Sequence, residues 1–206
     1  ASAGDMEIAD GAVRVAGTDR VISFADLASH PKATPDKLTA SRDFGTDSPT
    51  YPNGAHIAEV EIDPDTGRTE IVTYVVVDDF GATLNPLLLA GQVHGGLVQG
   101  IGQALMEDTV YDPDSGQLIS ASFMDYAMPR ASDAPSFVFE TRNTRCKTNP
   151  LGVKGAGEAG AIGSCPAVMN AVIDALDRGY AIRHIDMPAT PLKVWTLIEQ
   201  AKTRAA

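Results

Sequence analysis

The chain contains very few cysteines. Cys146 and Cys165 are the only two among 206 residues, and their spacing matches no metal-binding motif. Two cysteines in a chain of this length are too few for a disulfide scaffold, which predicts a reducing compartment and a cytoplasmic location.

Positive charge and long apolar runs are also scarce. The 16 Lys and Arg residues against 27 Asp and Glu residues give a net charge of −11, which argues against nucleic acid and anionic membranes as partners. No apolar run approaches the roughly 20 residues of a membrane span. The residues from Ala1 to Asp5 lack the basic and apolar parts of a signal peptide and an initiator Met, so we expect a part of a longer protein.

The remaining composition suits a folded domain, because 44% of the residues are apolar and can form a core. Residues 1–55 are polar and punctuated by proline outside one hairpin signal at Asp10-Gly11, which predicts an irregular N-terminal extension. Residues 56–206 are predicted to form the main domain. Within it, two β-rich runs flanking the turn at Pro64–Gly67 predict a hairpin.

A long helix that carries several glycines is predicted after Asn85-Pro86, a typical helix start. Each interior glycine costs a helix about 0.5–1 kcal/mol relative to alanine, so these glycines indicate close approach of a helix, a backbone or a ligand. Gln92, between Gly91 and Gly95, is the candidate for a ligand contact. The predicted buried face repeats at every fourth position: Leu89, Val93, Leu97, Ile101 and Leu105.

Residues 152–163 are rich in glycine and contain one carboxylate, Glu158. Small neighbours let this carboxylate face a ligand directly. The pattern from Gly155 to Gly160 also matches a dinucleotide fingerprint, but no buried strand precedes it, which disfavours a nicotinamide cofactor. A glycine-rich turn with a solvated Glu158 stays open as an alternative.

Two C-terminal helices complete the prediction. Ser164, followed by Pro166, predicts the N-cap of the first helix, and Pro191 predicts the start of the second. The expected fold class is α+β, with antiparallel or mixed sheets packed on the long Gly-rich helix and the C-terminal helices.

Three stretches, in this order and spacing, resemble the C-terminal end of the molybdenum-binding large subunit of the xanthine oxidase, aldehyde oxidase and carbon monoxide dehydrogenase family. They are residues 91–102 (GQVHGGLVQGIG), residues 122–130 (SFMDYAMPR) and residues 149–160 (NPLGVKGAGEAG). The resemblance implies part of a molybdenum-cofactor-binding domain. Large subunits of this family are several times longer, so the upstream part of the subunit is expected elsewhere.

The family resemblance also implies roles for single residues. Glu158 would be the general base that takes the proton from the attacking hydroxyl group. Gln92 would hydrogen-bond the pterin, and Gly157 and Ala159 would supply backbone close to the metal, with no side chain as a metal ligand. Lys154 would be either a loop support or an ion partner.

The implied cofactor is a molybdenum–pterin group, molybdopterin cytosine dinucleotide, held by the complete enzyme and not stably by this chain alone. The implied partners are the upstream part of the large subunit, an iron–sulfur small subunit and an FAD medium subunit. The substrate would be an aldehyde, an N-heteroaromatic or a CO-like molecule, oxidised with water-derived oxygen. The alternative is a non-catalytic assembly module of such a complex, and an exposed apolar face could make it a homo-oligomer.

Overall fold

The computed structural model describes residues 1–43, 45 and 48–205, without the side chain of residue 205. Contacts divide the chain into two compact units, Ala1–Gly45 and Thr46–Ala206. The predicted α+β class is confirmed, since both units combine helices with small sheets.

The first unit is built on a three-stranded antiparallel sheet. Its strands are β1 (Met6–Ala9), β2 (Ala12–Val15) and β3 (Val21–Ser23), in the order β1-β2-β3. Two short helices follow, α1 (Phe24–Ser29) and α2 (Pro35–Leu38). The hairpin predicted around Asp10-Gly11 is confirmed, because Met6 pairs with Val15 and Ile8 with Val13. Regular structure is therefore present between residues 3 and 38, and the linking role of residues 1–55 stays a prediction.

The second unit contains a mixed sheet. Strand β4 (Asn53–Ile62) pairs antiparallel with β5 (Thr69–Asp79), as the predicted hairpin requires. Strand β6 (Phe137–Thr141) lies parallel to the other edge of β5. A parallel neighbour needs a long crossover, and here the chain between β5 and β6 supplies helix α3 (Pro86–Leu105).

Three helices complete this unit: α3, α4 (Ala159–Tyr180) and α5 (Pro191–Ala205). The predicted start of α3 is confirmed, because the Asn85 side chain accepts a hydrogen bond from the Leu88 N–H at 3.1 Å. Helix α4 packs against both α3 and β4. The shared core includes Tyr74 and Val76 from β5 and the following fully buried helix residues: Val93, Leu97, Val168, Val172, Val194 and Ile198.

Helix α4 corrects two expectations. It begins at Ala159, so Ser164 is a buried residue inside the helix and not its N-cap. Close packing of Gly160 on α3 offsets the low helix propensity of Gly160 and Gly163 in the first turns of α4. Over the described ranges, α4 is also long and apolar enough to cross a membrane by length and composition, contrary to the expectation of no such run. Its buried stripe packs within the unit and marks it as a core helix.

Candidate functional site

Gln92 and the glycine-rich loop, far apart in sequence, meet at one end of the second unit. The Gln92 Nε2 group donates to the backbone oxygen of Gly157 at 3.4 Å. Gln92 lies on the exposed side of the second turn of α3, and Gly157 precedes α4 by two residues. The structure therefore brings together two of the predicted cofactor-binding residues.

Glycines at the crossing of α3 and α4 make this meeting possible. A Cβ added at Gly160 would lie 2.8 Å from the Leu97 nitrogen, and one added at Gly96 would lie 3.0 Å from the Gly160 Cα. The two backbones are thus in direct contact, and any side chain at Gly160 would force the helices apart. The prediction that glycines in α3 mark close approach by a helix is confirmed at Gly96.

Other glycines near the site have no packing role within the described part of the chain. Among the described residues, no atom lies within 4 Å of a Cβ added at Gly91, Gly95 or Gly157. Two of them lie inside α3, where glycine costs about 0.5–1 kcal/mol relative to alanine. Their open faces leave room for a group that presses directly against backbone.

These glycines belong to a depression on the first half of α3. The depression has a volume of about 530 Å³ and is open to solvent. It combines apolar surface with two amide side chains, and its lining residues are Leu87, Leu88, Gly91, Gln92, Gly95, Gly96 and Gln99. An amide group both donates and accepts hydrogen bonds, which suits the edge of a heterocycle such as a pterin.

Glu158 occupies the N-cap position of α4. Its backbone oxygen accepts a hydrogen bond from the Ile162 N–H at 2.9 Å, but its side chain does not cap the helix. The side chain is exposed and is not among the residues that line the depression, although Gly157 beside it contacts Gln92. Ala159, the first residue of the helix, is half-buried. In this chain, Glu158 therefore faces an open surface.

Lys154 proves to be both an ion partner and a loop support. Its Nζ group donates to Asp79 Oδ2 at 2.7 Å, and each side chain is 11% exposed. The Lys154 N–H also donates to the Phe80 oxygen at 2.9 Å. Burial by itself would raise the pKa of Asp79, but hydrogen bonds from Lys154 and from the N–H groups of Thr144 and Gly81 outweigh it and lower that pKa to about 2. The glycine-rich loop is thus tied to the end of β5.

A second buried polar group was not predicted from the sequence. His56 on β4 lies between Tyr74 and Asp78 of β5, with 2.9 Å from its Nδ1 to the Tyr74 hydroxyl and 3.3 Å from its Nε2 to Asp78 Oδ1. Burial, followed by the charges of Asp78 and Cys165, raises the pKa of Tyr74 above its usual range. The strand alternation contained the signal, since His56 has the same parity as the inward residues Ala58, Val60 and Ile62.

The described part of the chain holds no group of three or more His, Cys, Asp or Glu side chains that could bind a metal ion. His94, two residues after Gln92, packs instead against the sheet, with its ring centroid 5.4 Å from that of Phe137. Its Nε2 atom is buried without a hydrogen-bond partner among the described residues. The residues that line the depression are apolar side chains, glycines and two amides, and none of them is a carboxylate.

Comparison with known proteins gives the same family throughout. The family model of the molybdopterin cofactor-binding domain matches residues 1–135. The chain is 36% identical to the 6-hydroxypseudooxynicotine dehydrogenase complex subunit gamma of Paenarthrobacter nicotinovorans, over 93% of this chain and 25% of that protein. It is 34% identical to the carbon monoxide dehydrogenase large chain of Afipia carboxidovorans, over 96% of this chain and 25% of the relative.

Solved structures agree with these relatives. Quinoline 2-oxidoreductase from Pseudomonas putida 86 superimposes with a TM-score of 0.86 at 34% identity, over 97% of this chain and 26% of that chain. The Cu,Mo-CO dehydrogenase in its carbon monoxide reduced state gives a TM-score of 0.82 at 32% identity, with the same coverage. The chain spans about a quarter of the length of these four proteins.

Proposed function

Because this chain belongs to the family of molybdopterin cofactor-binding domains, we propose that it forms the C-terminal part of a molybdenum hydroxylase large subunit and completes the active site of such an enzyme. The observation that carries the proposal is the contact between Gln92 and Gly157, beside a depression bordered by glycines without packing partners in the described chain. The activity belongs to the complete protein, since this chain spans only a quarter of its relatives.

The residues at the depression fit the proposed cofactor. Gln92 offers both a donor and an acceptor to the pterin edge, and the open faces of Gly91 and Gly95 allow a flat group to lie against α3. The N–H groups of Gly157 and Ala159 lie at or before the first turn of α4, where helix N–H groups lack intrahelical partners and favour negative charge. We assign the cofactor as molybdopterin cytosine dinucleotide, bound only in the complete enzyme.

When bound, the molybdenum–pterin group supplies the redox chemistry of hydroxylation. Glu158 is the general base, and its carboxylate accepts the proton of the water-derived hydroxyl group that attacks the substrate carbon. Such a base must come within about 2.6–3.2 Å of that proton donor. The exposed position of Glu158, between the small residues Gly157 and Ala159, leaves this approach open.

The substrate class and the partners follow the family. The relatives carry names that refer to carbon monoxide, a nicotine derivative and quinoline, so we propose a small CO-like, N-heteroaromatic or aldehyde substrate. The electrons leave through an iron–sulfur small subunit and an FAD medium subunit. This chain has two cysteines, fewer than the four that iron–sulfur clusters commonly require.

The test is Glu158→Gln in the complete enzyme. Loss of a general base lowers turnover by about 10²-fold or more, while cofactor content stays at the wild-type level because an amide of the same size keeps the loop unchanged. Glu61→Gln is the matched control, since Glu61 is an exposed glutamate on the outer face of β4. Turnover of the Glu158→Gln enzyme within a few-fold of wild type would refute the role of this residue.

The alternative, a non-catalytic assembly module, predicts a different pattern. It would leave turnover insensitive to both Glu158→Gln and Gln92→Leu, because neither residue would meet the cofactor. Metal analysis and visible absorbance of the purified 206-residue chain add a separate check. We expect no molybdenum there, and stably bound molybdenum would show that the upstream part is not needed to hold the cofactor.

A further inference from the structure

Two consecutive carboxylates end strand β5, and they hold different parts of the molecule. Successive residues of a strand point to opposite faces of the sheet. On one face, Asp79 receives Lys154 at 2.7 Å. On the other, Asp78 Oδ1 lies 3.3 Å from His56 Nε2, and both of these side chains are less than 10% exposed. Asp78 and Asp79 therefore reach two separate partners.

Each partner touches one end of the segment that carries Glu158. Lys154 begins this segment. At its other end, a Cβ added at Gly163 would overlap the imidazole ring of His56, so the ring lies directly against the backbone of the first turns of α4. The ring cannot move away freely, because its Nδ1 is 2.9 Å from the buried Tyr74 hydroxyl.

Between Lys154 and the start of α4, few hydrogen bonds restrain the described loop. Within the described residues, its hydrogen bonds to the rest of the unit before α4 include those from the Gly155 N–H to Thr50 Oγ1 at 3.1 Å and from Gln92 to the Gly157 oxygen at 3.4 Å. Gly155 and Gly157 give the backbone much conformational freedom. A misplacement of about 1 Å can cost a catalytic group about 10²-fold in rate, so the anchored ends matter for Glu158.

We propose that Asp78 and Asp79 are positioning residues that anchor the two ends of residues 154–163 and thereby orient Glu158. Asp79 acts through Lys154, and Asp78 acts through His56 and the backbone of Gly163. This inference rests on the proposed role of Glu158 as the base. Its structural part concerns only groups of this chain and can be measured without cofactor.

The first experiment measures amide hydrogen exchange on the full chain with Asp78→Asn and Asp79→Asn, two substitutions that keep side-chain size. The Ile162 amide, bonded to the Glu158 oxygen, reports on the α4 end, and the Lys154 amide, bonded to the Phe80 oxygen, reports on the other end. Asp78→Asn should accelerate exchange at Ile162 by about tenfold, and Asp79→Asn should do so at Lys154, because local opening becomes easier.

Matched controls separate anchoring from general stability. Asp174→Asn removes an aspartate from an exposed ion pair with Arg178 and should change neither amide. The Val194 amide, bonded to the Thr190 oxygen in α5, should stay at its wild-type rate in all variants. Unchanged exchange at Ile162 and Lys154, or equal acceleration that includes Val194, would overturn the proposal. Lys154→Arg should restore the protection that Lys154→Met loses, because it keeps the charge.

The second experiment uses steady-state kinetics of the complete enzyme. Each Asp→Asn variant should lower kcat by about tenfold or more with little change in KM, because the base is misplaced while substrate binding is retained. In a Glu158→Gln background, the same substitutions should have little further effect. An undiminished effect in that background would overturn the route through Glu158. If Glu158→Gln itself keeps full turnover, the proposed base is wrong, while the exchange data still decide the anchoring.

Discussion

Substitution of two glycines near the α3–α4 crossing by alanine should have opposite effects on the stability of the second unit. Gly95→Ala should raise it, and Gly160→Ala should lower it. Gly95 lies inside α3, and a Cβ added there meets no described atom within 4 Å. Gly160 lies in the first turn of α4, and a Cβ there would be 2.8 Å from the Leu97 nitrogen and 2.9 Å from the Gly96 carbonyl carbon. Real Cβ atoms do not approach backbone so closely, so the helices must separate.

The change in the free energy of unfolding that each substitution causes can be estimated from these contacts. Gly95→Ala gains helix propensity without a clash and should stabilise the unit by about 0.5–1 kcal/mol. Gly160→Ala gains less propensity at a helix end and adds an overpacking cost of about 1–3 kcal/mol, since backbone cannot rotate out of the way as a side chain can. The net loss should be about 1–2 kcal/mol. For a unit of this size, 1 kcal/mol corresponds to about 2–4 °C in Tm.

The assay is urea unfolding followed by the fluorescence of Trp195, the single tryptophan of the chain, which lies in α5. Gly179→Ala is the control, because Gly179 lies near the end of α4 and is also open. It should raise stability like Gly95→Ala. In the complete enzyme, however, Gly95→Ala should lower molybdenum content and Gly179→Ala should not, since only the methyl group at position 95 enters the depression. A Gly160→Ala protein as stable as wild type would refute the packing argument, and a Gly95→Ala enzyme with full cofactor content would refute the site.

Two pH dependences follow from the buried groups of β5. The pKa of Asp79 is lowered to about 2, so the stability that its ion pair contributes is present above the unfolded pKa of about 4 and is lost as pH falls through the folded value. The Asp79→Asn protein should therefore lack this part of the loss of stability in acid. Identical acid-unfolding profiles of the variant and the wild type would contradict the prediction. The pKa of Tyr74 is raised by burial and by the nearby charge of Asp78, so its stabilising contribution is present below the unfolded pKa of about 10 and is lost as pH rises further. Ultraviolet titration should find that one of the five tyrosines stays protonated until the fold opens. Five tyrosines that titrate together in the folded protein would exclude this.

Local patterns predicted several elements correctly. The hairpin of β4 and β5 follows from alternation around a turn, and α3 follows from the Asn85-Pro86 start and a stripe repeated at every fourth residue. Such features depend on interactions between residues that are close in sequence, which a pattern can represent. The same holds for α5, which begins at Pro191 as predicted.

The start of α4 was predicted wrongly because Ser164 and Pro166 form a stronger local start signal than the residues at the actual start, Ala159. Ser164 followed by Pro166 has the pattern of a helix start, whereas Gly160 and Gly163 lower the helix propensity of the residues just before it. Contact with α3 determines where α4 begins, because the backbones touch at Gly96 and Gly160 and both glycines are buried there. Only a partner distant in sequence reveals this stabilisation.

By itself, the sequence determined the fold class, most helices and strands, and the motifs that place the chain in the molybdopterin cofactor-binding family. It also singled out Glu158 and Gln92 by residue type and by small neighbours. Tertiary structure alone decided that Gln92 reaches the loop of Glu158, that Lys154 is held by Asp79, and that His56 is buried beside Asp78. These partners are separated by 65, 75 and 22 residues, and the pairing of β4 with β5 and the packing of α3 and α4 bring such distant groups within bonding distance.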